Sequence, residues 1–282
     1  MKPVLTVNPD EFSQDIHISL PFVRQIGVNH IELRSLSGKN ILDFTNEEAT
    51  QLAKLLKKEG ISVAALASPL FKWYVSDNSP EILFDHFFFE PRISTEHKKH
   101  YITRAIEIAE IFECPIVRVF SYLTDPTFSL SDFQNDELIH FAIEEARKKG
   151  IKLALENEPI CTVQTKNDIA TTMNHFSDTL GLFYDISNFS YVGTHITKDD
   201  VLALEKRIFY VQCKNFQLNP EFHYVPLDNG HLNYVDIMGW FEEIYPKDAE
   251  MFINIETHIK ENKTQVIRDS FRYLGDILHK PN

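Results

Sequence analysis

The feature that most constrains this chain is an alternation that recurs eight times along its length. Short β-branched runs are each followed by a longer amphipathic segment. The runs are VLTV (4–7), HIELRS (30–35), ISVAALAS (61–68), PIVRVFSY (115–122), KLALENEP (152–159), LGLFYDIS (180–187), IFYVQCKNF (208–216) and MFINIETH (251–258). The intervening segments carry helix punctuation. Thr45 and Glu48 form a capping-box pattern ahead of a run that stops at Gly60. Ser131 is expected to open a helix that closes on Arg147, Lys148, Lys149 and Gly150, with cations and a glycine at the C-terminal end. Thr165 with Asp168 and Thr197 with Asp200 mark two further starts, and the last helix is expected over roughly 264–280. Strict strand–helix alternation gives a parallel sheet covered by helices. Eight units in 282 residues fit a closed (β/α)8 barrel that uses the whole chain, 1–282, as one domain. An open doubly wound sheet is disfavoured because no GxGxxG follows any strand. The aromatic segment 72–94 is expected either to cover the barrel mouth or to form a subunit contact in a homo-oligomer.

Composition narrows the partners. Lys+Arg number 28 against 41 Asp+Glu, a formal charge of −13, which argues against a nucleic-acid backbone as ligand. Cys114, Cys161 and Cys213 are far apart and form no CxxC, so neither a disulfide framework nor a cysteine zinc site is expected. The N-terminal MKPVLTVNPDEF is too polar for a signal peptide, and the longest apolar stretch, 61–71, is too short to span a bilayer. The expected setting is the cytoplasm, with no membrane association.

Strand parity then places the polar residues. Residues i, i+2 and i+4 share a face, and in a barrel the apolar face meets the helices. Leu153 and Leu155 mark the helix side, which turns Glu156 and Glu158 inward. The same rule turns Asp185, Gln212 with Lys214, Asn254 with Glu256 and His258, and Glu32 with Arg34 into the lumen. Glu156, Asp185, Gln212 and Glu256 thus lie inside near the C-terminal ends of four consecutive strands, where barrels of this architecture hold their active sites. Three converging carboxylates need a compensating cation. A divalent ion suited to carboxylate and amide oxygens is the expected one: Mn²⁺, Mg²⁺, Co²⁺ or Zn²⁺.

The segments GVNHIELRSLSGKN (27–40), ASPLFK (67–72), VRVFSY (117–122), ALENEPICT (154–162), FYDISNF (183–189), YVQCKNF (210–216) and INIETH (253–258) together resemble the xylose isomerase-like TIM-barrel superfamily. This is the sugar phosphate isomerase/epimerase group, which also includes endonuclease IV. The resemblance runs over nearly the whole chain in the family's order. It implies a divalent metal held by Glu156, Asp185, Gln212 and Glu256, with Glu156 and Glu256 also acting as base and acid. It further implies substrate contacts from Glu158 and Asn188. The chain departs from the family's pattern in having Gln212 in place of His, Asn215 in place of Asp, and Asp228-Asn229-Gly230-His231 in place of a Gly-x-Gly-Asp turn. The neutral Gln212 is a weaker ligand than imidazole.

The expected activity is that of a metal-dependent isomerase or epimerase acting on a sugar, polyol or hydroxy-keto substrate. One glutamate removes the proton α to the carbonyl, the metal stabilises the enediolate, and the other glutamate returns the proton. The alternatives are a dehydratase of the inosose or dehydroshikimate type, and a catalytically decayed sugar-binding barrel. Lys214 and His258 lie one inward step above the ligands and are candidate substrate contacts, as are Arg34 and Lys72. For Arg34 and Arg118 an internal ion pair with Glu32 competes with that role. The run FDHFFFE (84–90) is expected as loop core or subunit contact rather than as a ligand box, and His223 as a surface residue. An endonuclease IV-like activity is disfavoured, because the third and fourth strands end without histidine and Asn188 and Gln212 stand where further zinc ligands would be needed.

Overall fold

The computed structural model describes residues 1–176, 179–219 and 221–278. Eight parallel strands close into a barrel: β1 (Lys2–Val7), β2 (His30–Leu33), β3 (Ser62–Leu66), β4 (Ile116–Val119), β5 (Lys152–Glu156), β6 (Leu180–Asp185), β7 (Ile208–Cys213) and β8 (Glu250–Ile255). Each of the eight expected runs overlaps one of these strands, β1 beginning two residues and β8 one residue ahead of its run, and the ring order is sequential, with β1 pairing to both β2 and β8. The principal helices are α1 (Ile16–Gln25), α2 (Asn46–Lys58), α3 (Thr95–Ile111), α4 (Glu137–Lys148), α5 (Lys166–Phe176), α6 (Lys198–Leu204), α7 (Tyr234–Ile244) and α8 (Lys263–Leu278). One follows each strand, as a right-handed β–α–β progression requires. Among the described residues no helix is long and apolar enough to cross a membrane.

Local signals explain the element ends. Thr45 and Glu48 make the full capping box of α2. Gly60 and Gly150, with φ of 70° and 68°, turn the chain out of α2 and α4 in the left-handed region that glycine tolerates. Thr165 and Asp168 cap α5 reciprocally, and Thr197 and Asp200 do so for α6. The expected helix start at Ser131 is corrected. Ser131 lies inside a one-turn helix, Leu130–Gln134, that Ser129 caps, and α4 begins separately behind the side chain of Asp136. The expected last helix is found as α8, and positions 279 and 280 lie outside the described residues.

Burial follows strand parity. Ile31, Leu33, Leu153, Leu155, Val211, Cys213, Ile253 and Ile255 belong to the layer between strands and helices. Ala64, Ile116, Ala154, Phe183 and Tyr210 fill the lumen, with Phe183 stacked on Tyr210 at 4.2 Å between centroids. This plug leaves the inward polar residues at the C-terminal ends of the strands as the floor of a cavity.

Candidate functional site

At that end lies a cavity of about 380 Å³. Eight of the ten sequence-selected residues line it: Arg34, Lys72, Glu156, Glu158, Asn188, Lys214, Glu256 and His258. The other two, Asp185 and Gln212, are 0% exposed and lie beneath the cavity surface.

Each carboxylate of the floor has its own basic partner. Glu156, at the end of β5, accepts a 2.9 Å hydrogen bond from Arg118 Nη1 on β4. The same guanidinium donates to the carbonyls of Ala67 and Ser68, at 2.9 and 3.3 Å, so its position is fixed by the β3 end. Glu256, just past β8, accepts a 2.7 Å bond from Arg34 Nη1. Arg34 is held from behind by Asp10 through a two-pronged contact of 2.9 and 2.8 Å, and by Glu11 at 3.0 Å. The expected alternative of a pair with Glu32 is therefore corrected for Arg34, whose partners are Asp10, Glu11 and Glu256, and for Arg118, whose partner is Glu156.

Asp185 has one oxygen committed to the backbone. Its Oδ1 accepts from Ser187 N, Ser187 Oγ and Asn188 N at 2.9, 2.9 and 3.0 Å, closing the turn into the short helix Asn188–Tyr191. Its Oδ2 faces the ammonium of Lys214 at 2.8 Å. That ammonium also lies 3.6 Å from Glu256 and 3.4 Å from His258 Nε2, while His258 reaches Glu256 at 3.1 Å. Toward the mouth, Lys72 pairs with Glu158 at 3.3 Å.

The environments push the two candidate proton-transfer carboxyls apart. Burial raises Glu156 in spite of Arg118, and the nearby charges of Glu158 and Asp185 add to that rise. Glu256 is equally buried, but His258, Lys214 and Arg34 outweigh burial and hold it well below the usual carboxylate range. Lys214 is held well above its ordinary value, because Asp185, Tyr224, Glu256 and Glu156 outweigh its desolvation.

The expected divalent ion needs the oxygens of Glu156, Asp185, Gln212 and Glu256 to converge on one point. The residues do not fit that requirement as they are arranged. Among the described residues, no three His, Cys, Asp or Glu side chains come together as a ligand group. Arginine engages Glu156 and Glu256, lysine engages Asp185, and both amide atoms of buried Gln212 lack hydrogen-bond partners.

Several contributors lay outside the sequence-based selection. Asp10 and Glu11 follow β1 at the same barrel end, a signal that strand parity did not use. Asn157 ties β5 to β6 by exchanging two 2.9 Å bonds with the backbone of Asp185, and its carbonyl accepts from Asn188 at 3.1 Å. In the run 84–90, Phe89 joins the hydrophobic core with Phe84 packed against it, and Phe84, Phe87 and Phe89 also line the cavity. Arg34 lies 3.9 Å from the centroid of Phe87, so segment 72–94 covers the mouth. His223 is exposed, as expected.

Residues 20–277 match the family profile described as xylose isomerase-like TIM barrel. No curated protein sequence matches the chain. Solved structures with the same fold include the probable 3-DHS dehydratase AsbF of Bacillus anthracis (16% identity, TM-score 0.74, covering 98% of this chain and 99% of that one). A second is 3-keto-D-glucoside 4-epimerase YcjR of E. coli in its apo form (15% identity, TM-score 0.72, 98% and 99% covered). A third is a xylose isomerase-like TIM-barrel protein of Mycobacterium smegmatis in complex with magnesium (15% identity, TM-score 0.73, 99% and 97% covered). At these identities the likeness shows the fold alone. With the profile spanning most of its length and the barrel closed as the alternation requires, the chain belongs to the xylose isomerase-like TIM-barrel family.

Proposed function

We propose that this chain is an isomerase or epimerase acting on a sugar, polyol or hydroxy-keto substrate by proton transfer between Glu156 and Glu256. The observation that carries this is the pair itself. Two carboxyl groups, from strands three apart in a ring of eight, line one cavity, and each is braced by its own arginine. Bracing fixes the carboxyl oxygens within reach of a substrate bound between them, which is the geometric requirement for general acid–base catalysis. One carboxylate takes the proton α to a carbonyl. The C–H electron pair becomes the carbon–carbon double bond, and the carbonyl π pair moves to oxygen. Proton return to the opposite face gives the epimer; return to the former carbonyl carbon, with the hydroxyl proton of the α carbon passing to the former carbonyl oxygen, gives the isomer. Glu158, Asn188, His258 and Lys72 line the same cavity and supply the donors and acceptors that a polyhydroxylated substrate needs. Cavity volume and aromatic walls suit a single small ring or open-chain sugar.

Loss of a β-hydroxyl from the same intermediate would make a dehydratase, and the fold shared with AsbF favours keeping that reading second. Divalent ions are held by two structures of the same fold, a zinc in IOLI and a magnesium in the Mycobacterium smegmatis protein. Bound, such an ion would supply Lewis acidity to the carbonyl, but the residues of this chain do not converge on it.

The test is solvent exchange. The protein is incubated in D₂O with ketohexoses, inososes, hydroxypyruvate and dehydroshikimate, and deuterium at the carbon α to the carbonyl is followed by NMR. Exchange is expected on one member of the panel, falling about 100-fold or more in Glu156→Gln and in Glu256→Gln. Full exchange in both variants would overturn the assignment. Saturable binding without exchange would instead identify a sugar-binding barrel.

A further inference from the structure

We propose that Lys214 is the resident cation of this site: its ammonium takes the place that the ligand pattern assigns to a divalent ion, and the protein binds no such ion. The proposal rests on the proton-transfer reading for its chemistry, and on geometry alone for its metal chemistry.

Charge comes first. The three inward carboxylates Glu156, Asp185 and Glu256 are met by Arg118, Lys214 and Arg34. Each of these carboxylates is already engaged by a side-chain cation, Arg34 being shared with Asp10 and Glu11, so a doubly charged ion would have to displace bonded partners in order to ligate them. Space comes second. The Lys214 ammonium is 2.8 Å from Asp185 and 3.6 Å from Glu256. An ion ligated by Asp185 Oδ2 would compete with that ammonium for the same oxygen. The third ligand position points the same way. Gln212 is neutral, fully buried and absent from the cavity wall. A neutral amide beneath the floor adds no negative charge to draw an ion in.

Lys214 does reach the cavity. Asp185 at 2.8 Å takes one of the three ammonium protons, while Glu256 at 3.6 Å and His258 Nε2 at 3.4 Å are held at longer range, so a substrate oxygen entering the cavity can take another. In the proton-transfer step the charge developing on the carbonyl oxygen is met by that ammonium through a charge-assisted hydrogen bond. The substrate's α proton passes to a carboxylate and is later returned, so atoms and electrons balance with no oxidant, reductant or metal.

The experiment uses the full chain, dialysed against EDTA, with metal content measured by mass spectrometry. Calorimetry and thermal denaturation follow, with MnCl₂, MgCl₂, CoCl₂ and ZnCl₂ up to millimolar concentration. Wild type is expected to carry no stoichiometric metal and to show neither binding heat nor a shift in melting temperature. Lys214→Met leaves Asp185 and Glu256 without their ammonium and is expected to bind Mn²⁺ roughly a hundredfold tighter than wild type. Lys214→Arg keeps the charge and is expected to remain metal-free. Gln212→His with Lys214 retained is also expected to remain metal-free, and these two variants keep the proposal falsifiable if Lys214→Met does not fold. Micromolar, one-to-one binding to wild type that Asp185→Asn abolishes would overturn the proposal, as would tight binding by Gln212→His. The deuterium-exchange panel separates the two readings. A metal-binding wild type that still exchanges removes Lys214 as resident cation and leaves the function. A metal-free protein that exchanges on no substrate does the reverse.

Discussion

Glu32 lies inside the barrel with 0% exposure and one carboxyl oxygen without a partner, and burial raises its pKa from 4.5 to about 7. Arg118 and Arg34 act against that rise without cancelling it. Its folded-state pKa is above the unfolded one, so between pH 4.5 and pH 7 the unfolded chain releases a proton that the native state keeps. Native stability from this group is therefore full below pH 4.5, falls across that window and levels off above pH 7, by about 3 kcal/mol at about 1.4 kcal/mol per pH unit. Glu32→Gln lacks this loss, so its stability relative to wild type is expected to rise from pH 4.5 to pH 7, as read from urea midpoints across that range. A difference that does not change with pH would refute the assignment. Asn215 shows how a departure from the family pattern can be built in. Its amide donates to the carbonyls of Leu227 and Leu232 at 2.8 and 2.9 Å, and its oxygen accepts from Phe216 N and Leu232 N, both at 3.0 Å. A carboxylate could satisfy the two N–H groups but would face two carbonyls with no proton to give. Asn215→Asp is expected to cost about 3 kcal/mol, one buried unsatisfied acceptor at each carbonyl, measured by chemical denaturation. The same side chain explains Gly230, where an added Cβ would run into the Asn215 amide.

The segment between β3 and α3 holds the cavity's aromatic wall; its start is bonded to the stretch just past β4 through the carbonyls of Leu70, Phe71 and Trp73, and its outer part is held largely by its own contacts. Arg92 donates to the carbonyls of Ser76, Asp77 and Ser79, Asn40 donates to the carbonyl of Phe87, and the Phe87 ring covers Arg34. Removing that ring exposes the guanidinium that braces Glu256 and opens one wall. Phe87→Ala is therefore expected to raise the apparent KM in the exchange assay by about tenfold, the equivalent of one cation–π contact, with a smaller change in kcat. A fall in kcat alone would place the ring outside substrate binding. Elements of this kind separate what the sequence shows from what it hides. The eight strands and their inward residues were legible, because a period of two and apolar partners such as Leu153 and Leu155 fix the face of each strand independently of the rest of the fold. The caps at Thr45, Thr165 and Thr197 were legible for the same reason, since their partners lie three residues away. The start of α4 was misplaced because Ser129, Ser131 and Asp136 all offer capping oxygens within one short stretch, and only the packed chain decides among them. Arg34 with Asp10, Arg118 with Glu156, and Phe87 over Arg34 were hidden because each joins neighbouring strands or a loop in a register that the finished barrel sets. Lys214 illustrates both sides. Its inward direction follows from parity, but its seat between Asp185 and Glu256 follows from the spacing of β6, β7 and β8 around the ring.

At the scale of the molecule, closure of the ring carries both the fold and the site. β1 pairs with β8 over six residues, from Lys2 with Glu250 to Val7 with Ile255, and with β2 only at Thr6 and Val7. The chain's first strand thus depends on its last, and Asp10 and Glu11 just beyond β1 brace the arginine that contacts Glu256 just beyond β8. A barrel whose ends are joined in this way has no half that keeps its pairing when the other half opens, so the whole length is expected to unfold as one cooperative unit. The two tryptophans are placed to test this. Trp73 is buried within the mouth-covering segment after β3, and Trp240 lies part-buried on α7. Trp73→Phe and Trp240→Phe each leave one reporter, on opposite stretches of the chain. In urea the fluorescence of each variant and its far-UV circular dichroism are expected to change together, with one midpoint per variant and similar m values. Deleting residues 1–7 removes the strand through which the ring closes. That variant is expected to lose the shared transition and to unfold broadly at lower urea. Separate midpoints for the two tryptophan reporters in the intact chain would show two folding units, and the reading of 1–282 as one domain would fall with the cooperativity.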